Sequence, residues 1–149
     1  MKKVRTISNI ICLLLIVGLI AFLVIEWKSI PDVIPTHFQM NGVADSHGSK
    51  SSLIFMPILM IITFAIIAVG ELFPESWNFP VKVTKENKER LIRIVGFMLA
   101  VIKVLAMCIF LAAELGMILG CINSWIMMSL IALIFLVIIV AVVECIKTR

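Results

Sequence analysis

The side chains best suited to chemistry in this sequence cluster in residues 35–50, which read PTHFQMNGVADSHGSK. His37, Asp45 and His47 carry imidazole and carboxylate groups, which are common zinc ligands. Their spacing, H-x7-D-x-H, matches no helix or hairpin template for a metal site, and no serine has a base and an acid placed around it. We therefore expect no enzyme and no cofactor. His37 and Asp45 are expected to hydrogen-bond within the segment or to recognise an external ligand, with metal binding as a third, less favoured hypothesis.

Prolines, glycines and an asparagine predict how this segment folds. Pro31 and Pro35 fix their own φ and push the preceding residue toward extended backbone, so the segment is expected to begin as a stiff strand. Asn41-Gly42 predicts a turn, because both residues tolerate positive φ. Gly48 predicts a second turn. The segment is thus expected to fold over the helix ends beside it.

Long apolar runs on both sides of this segment decide the class of protein. Of the 149 residues, 62% are hydrophobic, and the mean hydropathy is +1.20. Soluble domains have about 45–50% apolar residues, so the excess must face lipid. Backbone in lipid must satisfy its own hydrogen bonds, which favours helices of about 20 residues. We predict an all-α membrane protein forming one domain over residues 1–149. The four transmembrane helices are expected at about 7–25, 53–72, 85–119 and 125–146, with an outer loop at 26–52 and an inner loop at 73–84.

The distribution of charge predicts the orientation in the membrane. If both termini are cytoplasmic, ten of the 13 Lys and Arg residues lie inside, Lys28 and Lys50 lie outside, and Lys103 lies within a span. This distribution agrees with the preference of basic residues for the cytoplasmic side. Trp27 and Trp125 then fall at the outer boundary and Trp77 at the inner one. The net charge of +4 follows from this bias, so we expect no nucleic-acid partner. The loop that holds residues 35–50 is extracellular in this orientation.

Two ionisable residues interrupt the third predicted helix. Lys103 lies deep in the apolar run, where a charge costs about 2.5–3.5 kcal/mol on insertion scales and usually faces protein or water. Glu114 shares nearly the same helix face but lies about 16 Å further along the axis, too far to pair directly. Lys103 can reach Glu71, near the inner end of the second helix, by extending inward. A structural ion pair is one interpretation, and a polar path through a small transporter or channel is the other.

Small residues recur every four positions in the same helix, at Ala112, Gly116 and Gly120. Such residues let a neighbouring backbone approach closely, which promotes helix association in lipid. We expect them to pack within the four-helix bundle, with a homodimer seam as the alternative.

The inner loop carries the signals for the start of the third helix. Pro80 disfavours helix at its own position, and Thr84 is a favourable N-cap. Glu86 is then well placed in the first turn, where the helix dipole favours a negative charge. The helix is expected to begin near Lys85, before the lipid, as a charged collar at the headgroups or as a docking surface for a cytoplasmic partner.

Two stretches resemble a known bacterial family. IPDVIPTHFQMNGVADSHGSK is similar to the pattern LPxxIPxHFNxxGxxDxWGSK of the domain-of-unknown-function 1648 family, and NFPVKVTKENKERLIRI is similar to a second pattern of its small members, NYPVxITxENxExxxxx. Gln39 departs from the usual asparagine, and His47 replaces an aromatic ring. The residues that match are His37, Phe38, Gly42, Asp45, Gly48, Ser49 and Lys50 in the outer motif, and Asn78, Pro80, Val81, Thr84, Glu86 and Asn87 in the inner motif.

This resemblance implies a location and a class of function. The family domain also forms the N-terminal part of SdpI-like immunity proteins, which are linked to resistance to a secreted antimicrobial peptide and to membrane signalling. It therefore implies a multi-pass protein of the bacterial plasma membrane. The expected function is binding, immunity or signalling, with an antimicrobial peptide or another membrane protein as partner beside the lipid bilayer.

Overall fold

The computed structural model describes residues 2–148. Within them, four helices are long and apolar enough to cross a membrane, as the sequence predicts. These helices are α1 (Lys2–Glu26), α2 (Phe55–Gly70), α3 (Lys88–Leu119) and α4 (Ser124–Ile146). Two strands, β1 (Val33–Phe38) and β2 (Ala44–Ser49), lie between α1 and α2, and short 3₁₀ helices cover Lys50–Ile54 and Pro74–Ser76.

The helix α3 is the centre of the bundle, because it packs against α1, α2 and α4. Its 32 residues extend about 48 Å at 1.5 Å per residue, which exceeds a hydrocarbon core of about 30 Å. Ala100, Lys103, Met107 and Glu114 are all buried, and steps of three, four and seven residues keep them on one helix face. This interior face therefore holds two ionisable groups.

Several helix limits differ from those expected from the sequence. The helix α1 already begins at Lys2, and α2 ends at Gly70. The helix α3 begins at Lys88, not near Lys85, because residues 85–87 form a turn in which the Lys88 N–H donates to the Thr84 carbonyl at 3.1 Å. The 3₁₀ helix Lys50–Ile54 directly precedes α2. At its start the Ser49 hydroxyl accepts a hydrogen bond from the backbone N–H of Ser51.

The outer loop forms a β-hairpin, so the all-α prediction is wrong for this segment. The strands β1 and β2 pair antiparallel in a two-stranded sheet, as the extended backbone favoured by the prolines allows. Gly48 pairs with Ile34 inside the sheet and does not form the second turn that its type suggested. A Cβ at Gly48 would lie 2.9 Å from Cγ2 of Thr36. The glycine is therefore needed for close approach of the opposite strand.

The turn of the hairpin follows the Asn41-Gly42 signal. The Gly42 N–H donates to the Gln39 carbonyl at 2.8 Å, and the Asn41 side chain accepts from the backbone N–H of Val43 at 3.0 Å. Gly42 has φ +82°, in the left-handed region that glycine adopts most easily. This geometry is a type I-like turn followed by a left-handed residue, a common hairpin connection.

The larger apolar core joins the helices to the hairpin. Ile34 of β1 is only 1% exposed and belongs to the same cluster as Cys12 of α1 and Met107 of α3, with Trp27 and Phe38 packed at its edge. We call the end of the bundle beneath the hairpin the hairpin end. The opposite end, which holds the start of α1 and the end of α4, is called the basic end. A smaller core of Val81, Leu91 and Cys145 lies there.

Candidate functional site

The base of the hairpin is held by the side chain of Lys50. Its Nζ lies 2.8 Å from Oδ1 of Asp32 and donates to the carbonyl oxygens of Trp27 and Ile30, both at 3.4 Å. Nζ also lies 5.6 Å from the centre of the Trp27 ring, within the range of a cation–π contact. The motif lysine thus ties the end of α1 to the start of β1. Asp32 was not singled out in the sequence, although it lies inside the motif.

The contact with Lys50 changes the pKa of the Asp32 carboxyl group. The hydrogen bond and the positive charge of Lys50 hold the pKa of the Asp32 carboxyl below its usual value, because both favour the ionised form. The Asp32 side chain is 89% exposed whereas that of Lys50 is only 20% exposed. Lys50 is therefore the structural partner, and Asp32 supplies a weak, solvent-screened contact.

The tip of the hairpin is docked on the turn between α3 and α4. The backbone N–H of Ile122 donates to the Gly42 carbonyl at 3.3 Å. A Cβ at Gly42 would overlap the carbonyl oxygen of Ile122 and lie 3.1 Å from Oγ of Ser124. Gly42 therefore serves both the left-handed turn and the close contact. The hairpin spans the end of the bundle and is fixed at its base and at its tip.

The outward side of the hairpin presents His37 and Asp45. Nδ1 of His37 lies 2.5 Å from Oδ1 of Asp45, with side chains 70% and 33% exposed. Two register irregularities flank His37, one between Pro35 and His37 and one between His37 and Phe38. Such bulges re-aim side chains, and here they bring together two groups eight residues apart. Phe38 points the other way and packs on the core.

His47 does not join this pair. It is exposed and lies opposite Pro35 in the sheet. Within residues 2–148, no group of three His, Cys, Asp or Glu side chains lies close enough together to hold a metal ion. The hairpin therefore offers one hydrogen-bonded His–Asp pair on an open surface, an arrangement suited to contacting a ligand.

A buried polar cluster lies in the bundle toward the basic end. Nζ of Lys103, with its side chain 0% exposed, is 2.6 Å from Oε2 of Glu71 and donates to Oδ1 of Asn9 at 2.5 Å. It also lies 5.8 Å from the centre of the Phe64 ring. The structure thus brings Lys103 to Glu71, the partner considered from the sequence. Asn9 was missed, although an asparagine within an apolar span is a detectable signal.

Glu114 stands alone on the same face of α3. It is 0% exposed, and among the described residues neither of its carboxylate oxygens has a hydrogen-bond partner. Glu114 lies eleven residues beyond Lys103, or about 16 Å along the helix. An ionised carboxylate in such a position is strongly disfavoured. The sequence placed this residue near the outer boundary but did not indicate its complete burial.

The inner motif organises the basic end. Asn87 is buried, and its Oδ1 accepts from the backbone of Thr84 at 2.8 Å while its own N–H donates to the Thr84 hydroxyl at 3.3 Å. This reciprocal pair resembles a capping box. Nδ2 of Asn87 also donates to the carbonyls of Lys82 and Thr148, which links the inner loop to the end of α4. The other motif residues Asn78, Pro80 and Glu86 are exposed.

The small residues of α3 have separate roles. Gly116 is buried, and a Cβ there would overlap the Ile122 side chain. The absence of a side chain at Gly116 therefore leaves room for Ile122 of the α3–α4 turn. Gly120 has φ +80° and forms the left-handed C-cap, and no atom of the described residues lies within 4 Å of an added Cβ. Gly120 therefore makes no close helix contact among residues 2–148, and its role in helix packing stays a prediction. Ala112 is half-buried, and a homodimer seam stays a prediction.

A model of a known protein family matches the segment that forms the hairpin end. Residues 13–61 match the family model "Domain of unknown function (DUF1648)". The match runs from α1 through the hairpin into α2 and includes the outer motif, whereas the inner motif at 78–94 lies beyond it. No curated protein and no solved structure matches the chain. The resemblance to the domain-of-unknown-function 1648 family is therefore confirmed over residues 13–61, about a third of the chain.

Proposed function

We propose that this protein is a small, non-catalytic membrane protein that binds a peptide or a membrane partner through the outward side of its hairpin, as an SdpI-like immunity or signalling component does. The observation that carries this function is the double attachment of the hairpin, through Lys50 at its base and Gly42 at its tip. A surface fixed at both ends is already ordered before binding, which lowers the entropic cost of association.

The chemistry of the outward side favours a peptide as the ligand. Met40 at the tip is 86% exposed, and Val33 and Val43 are also exposed, next to the polar pair of His37 and Asp45. Exposed apolar side chains beside oriented polar groups suit an amphipathic peptide. Within residues 2–148, the sheet has only two strands, and β2 contains no proline. Its free edge can therefore pair with an extended peptide by strand addition.

The proposed role places the protein in the bacterial plasma membrane with both termini in the cytoplasm. The hairpin then faces outward, where a secreted peptide arrives. The basic residues at the opposite end support this orientation through the preference of Lys and Arg for the cytoplasmic side.

Immunity is tested by expressing the full chain in a sensitive bacterium and challenging the cells with membrane-active peptides. We expect higher survival with the natural chain and loss of that protection in the double variant His37→Ala, Met40→Ser. Lys85→Ala, which alters an exposed residue at the basic end, is the matched control and should protect fully. Unchanged killing curves, with the protein verified in the membrane, would remove the immunity role.

A second candidate function is transport of a proton or small cation. It is favoured by one observation: the carboxylate of Glu114 is fully buried on the same helix face as Lys103 and has no hydrogen-bond partner among residues 2–148. Intramembrane ionisable groups often belong to proton relays. Vesicles reconstituted with the protein should then show a flux that Glu114→Gln abolishes. Absence of flux, or flux indifferent to that substitution, would exclude this function.

A further inference from the structure

We propose that the basic end holds a binding site for one anionic phospholipid, with its phosphate at Arg93 and an acyl chain between α3 and α4. This site is separate from the hairpin and does not depend on the binding role proposed above. Two adjoining cavities carry the inference. We call them the basic cavity and the α3–α4 groove.

The basic cavity has a volume of about 370 Å³ and lies between the start of α1, the end of α2 and α3. Such a volume is typical of small-molecule sites. Three cationic side chains line it: Lys2, Arg5 and Arg93. Among the described residues, Glu71 is the one acidic residue in its lining, and Nζ of Lys103 already lies 2.6 Å from its carboxylate. The cavity therefore carries an excess of positive charge and is suited to an anion.

The donors in this cavity remain available to a ligand. Nη1 of Arg5 donates to the backbone carbonyl of Glu71 at 3.2 Å, which orients the guanidinium and uses one of its five N–H groups. Among residues 2–148, the side chains of Lys2 and Arg93 make no hydrogen bond or ion pair. Guanidinium groups bind phosphate through paired N–H donors. Together these groups offer a preformed phosphate site.

The α3–α4 groove identifies a lipid, and not free phosphate, as the ligand. It has a volume of about 460 Å³ and shares Arg93 and Phe97 with the basic cavity. Apolar side chains such as Met98, Val137 and Val140 make up most of its wall. Glu144 is its acidic residue, and the positive charges of Lys147 and Arg90 face that carboxylate at 2.7 and 4.0 Å. A cationic cavity that shares Arg93 and Phe97 with an apolar groove fits a phosphate joined to an acyl chain.

The position of the basic cavity along the membrane helices also supports an anionic phospholipid as the ligand. The cavity lies at the ends of α1 and α2, where spans of this length meet the headgroup layer. Trp77 lines it and donates from Nε1 to the Gly70 carbonyl at 2.9 Å, so its amphipathic ring is fixed at that level, as interfacial tryptophans are. Basic pockets between membrane helices are suited to anionic headgroups.

The test is native mass spectrometry of the full-length protein in a neutral detergent. The probes are phosphatidylglycerol, phosphatidylcholine with the same acyl chains, and inorganic phosphate. We expect one tightly bound phosphatidylglycerol, weaker phosphatidylcholine binding, and about tenfold or greater loss of affinity in Arg93→Gln, as removal of a charged hydrogen bond predicts. Lys85→Gln, which removes an exposed positive charge at the same end of the bundle and outside both cavities, should bind normally.

Variants of the groove separate a lipid from a free anion. Val140→Trp fills the groove and should weaken phosphatidylglycerol binding, whereas Ile139→Trp, at an exposed neighbour outside the groove, should not. If inorganic phosphate binds as tightly as the lipid and its affinity is unchanged in Val140→Trp, the cavity is a phosphate site and not a lipid site. Equal binding of both lipids by all variants would overturn the site altogether.

Discussion

The carbonyl oxygen of Gly42 accepts a hydrogen bond from the backbone of Ile122 at 3.3 Å, and this contact joins the tip of the hairpin to the α3–α4 turn. Two segments far apart in the sequence thus close the hairpin end together. A side chain at Gly42 would overlap the Ile122 carbonyl. The contact between hairpin and bundle is therefore specified by the absence of a Cβ at one position.

Gly42→Ala is expected to release the tip of the hairpin. The substitution combines the strain of positive φ, about 1 kcal/mol for alanine, with the overlap at Ile122. Gly120→Ala is the matched control, because Gly120 has nearly the same φ but no atom within the described part of the chain lies within 4 Å of an added Cβ. Limited proteolysis should cut the hairpin faster in Gly42→Ala than in Gly120→Ala. Equal cleavage in the two variants would show that the tip is not held by this contact.

Lys103→Met is expected to destabilise the bundle by about 3 kcal/mol or more, because it leaves the buried Glu71 carboxylate without its cation. Lys147→Met removes an exposed ion pair with Glu144 and should cost at most about 1 kcal/mol. Resistance to unfolding by SDS in mixed micelles measures both effects. The double variant Lys103→Met, Glu71→Gln should recover much of the loss. Similar effects of Lys103→Met and Lys147→Met would argue against a buried ion pair.

Glu114→Met is expected to leave the protein at least as stable as the natural chain. The substitution replaces a carboxyl group that has no partner among the described residues by an apolar side chain of similar length. The same change at Glu71 should be strongly destabilising, since it would leave Lys103 buried without its carboxylate partner. Unfolding in SDS compares the two variants. A large loss of stability in Glu114→Met would reveal an interaction of the Glu114 carboxylate.

The hairpin is expected to loosen at low pH through the Asp32–Lys50 contact. Because Lys50 lowers the pKa of Asp32, the stabilisation is present above the unfolded-state pKa of about 4 and is lost as the pH falls through the lower folded-state value. Proteolysis by an acid-active protease should therefore accelerate as the pH falls below about 4. Asp32→Asn should flatten this dependence while Lys50→Met removes the base contact at every pH. A pH dependence unchanged in Asp32→Asn would place its origin elsewhere.

Asn87→Ala is expected to destabilise the basic end by about 1–3 kcal/mol, because Asn87 is buried and its loss leaves hydrogen-bonding groups of the inner loop unpaired. Glu86→Ala, at the exposed neighbour, should change stability by less than about 0.5 kcal/mol. Amide hydrogen exchange of the inner loop and the end of α4 measures the effect. Equal exchange in both variants would show that Asn87 does not link these segments.

The membrane helices could be predicted from the sequence because lipid imposes one rule on every residue of a span. Apart from Ser8 and Asn9 at its start, the run 7–25 is apolar on all sides, so its class follows from composition alone, and only its limits shift. The pairing of Lys103 with Glu71 was also accessible, because a buried lysine needs a partner and few are within reach. These features depend on hydrophobicity and on charge, and both can be read directly from the residue types.

The hairpin and its contacts were less accessible, because they depend on pairing register. The prolines and Asn41-Gly42 indicated extended backbone and a turn, but a register shift beside His37 decides that Asp45 is its neighbour. Gly48 illustrates the ambiguity, since a glycine can form a turn or make room for an opposite strand. The docking of Gly42 on Ile122 likewise joins residues whose distance in the sequence gives no signal.

The proposed binding role requires that the hairpin faces the outside of the cell while the start of α3 faces the cytoplasm. Thiol labelling of intact cells with a membrane-impermeant maleimide tests it most directly. The background carries Cys121→Ser, because Cys121 is the exposed native cysteine. We predict that Ser46→Cys is labelled in intact cells and that Lys85→Cys is labelled only after the membrane is permeabilised. Labelling of Lys85→Cys but not of Ser46→Cys in intact cells would contradict the orientation and the binding role that depends on it.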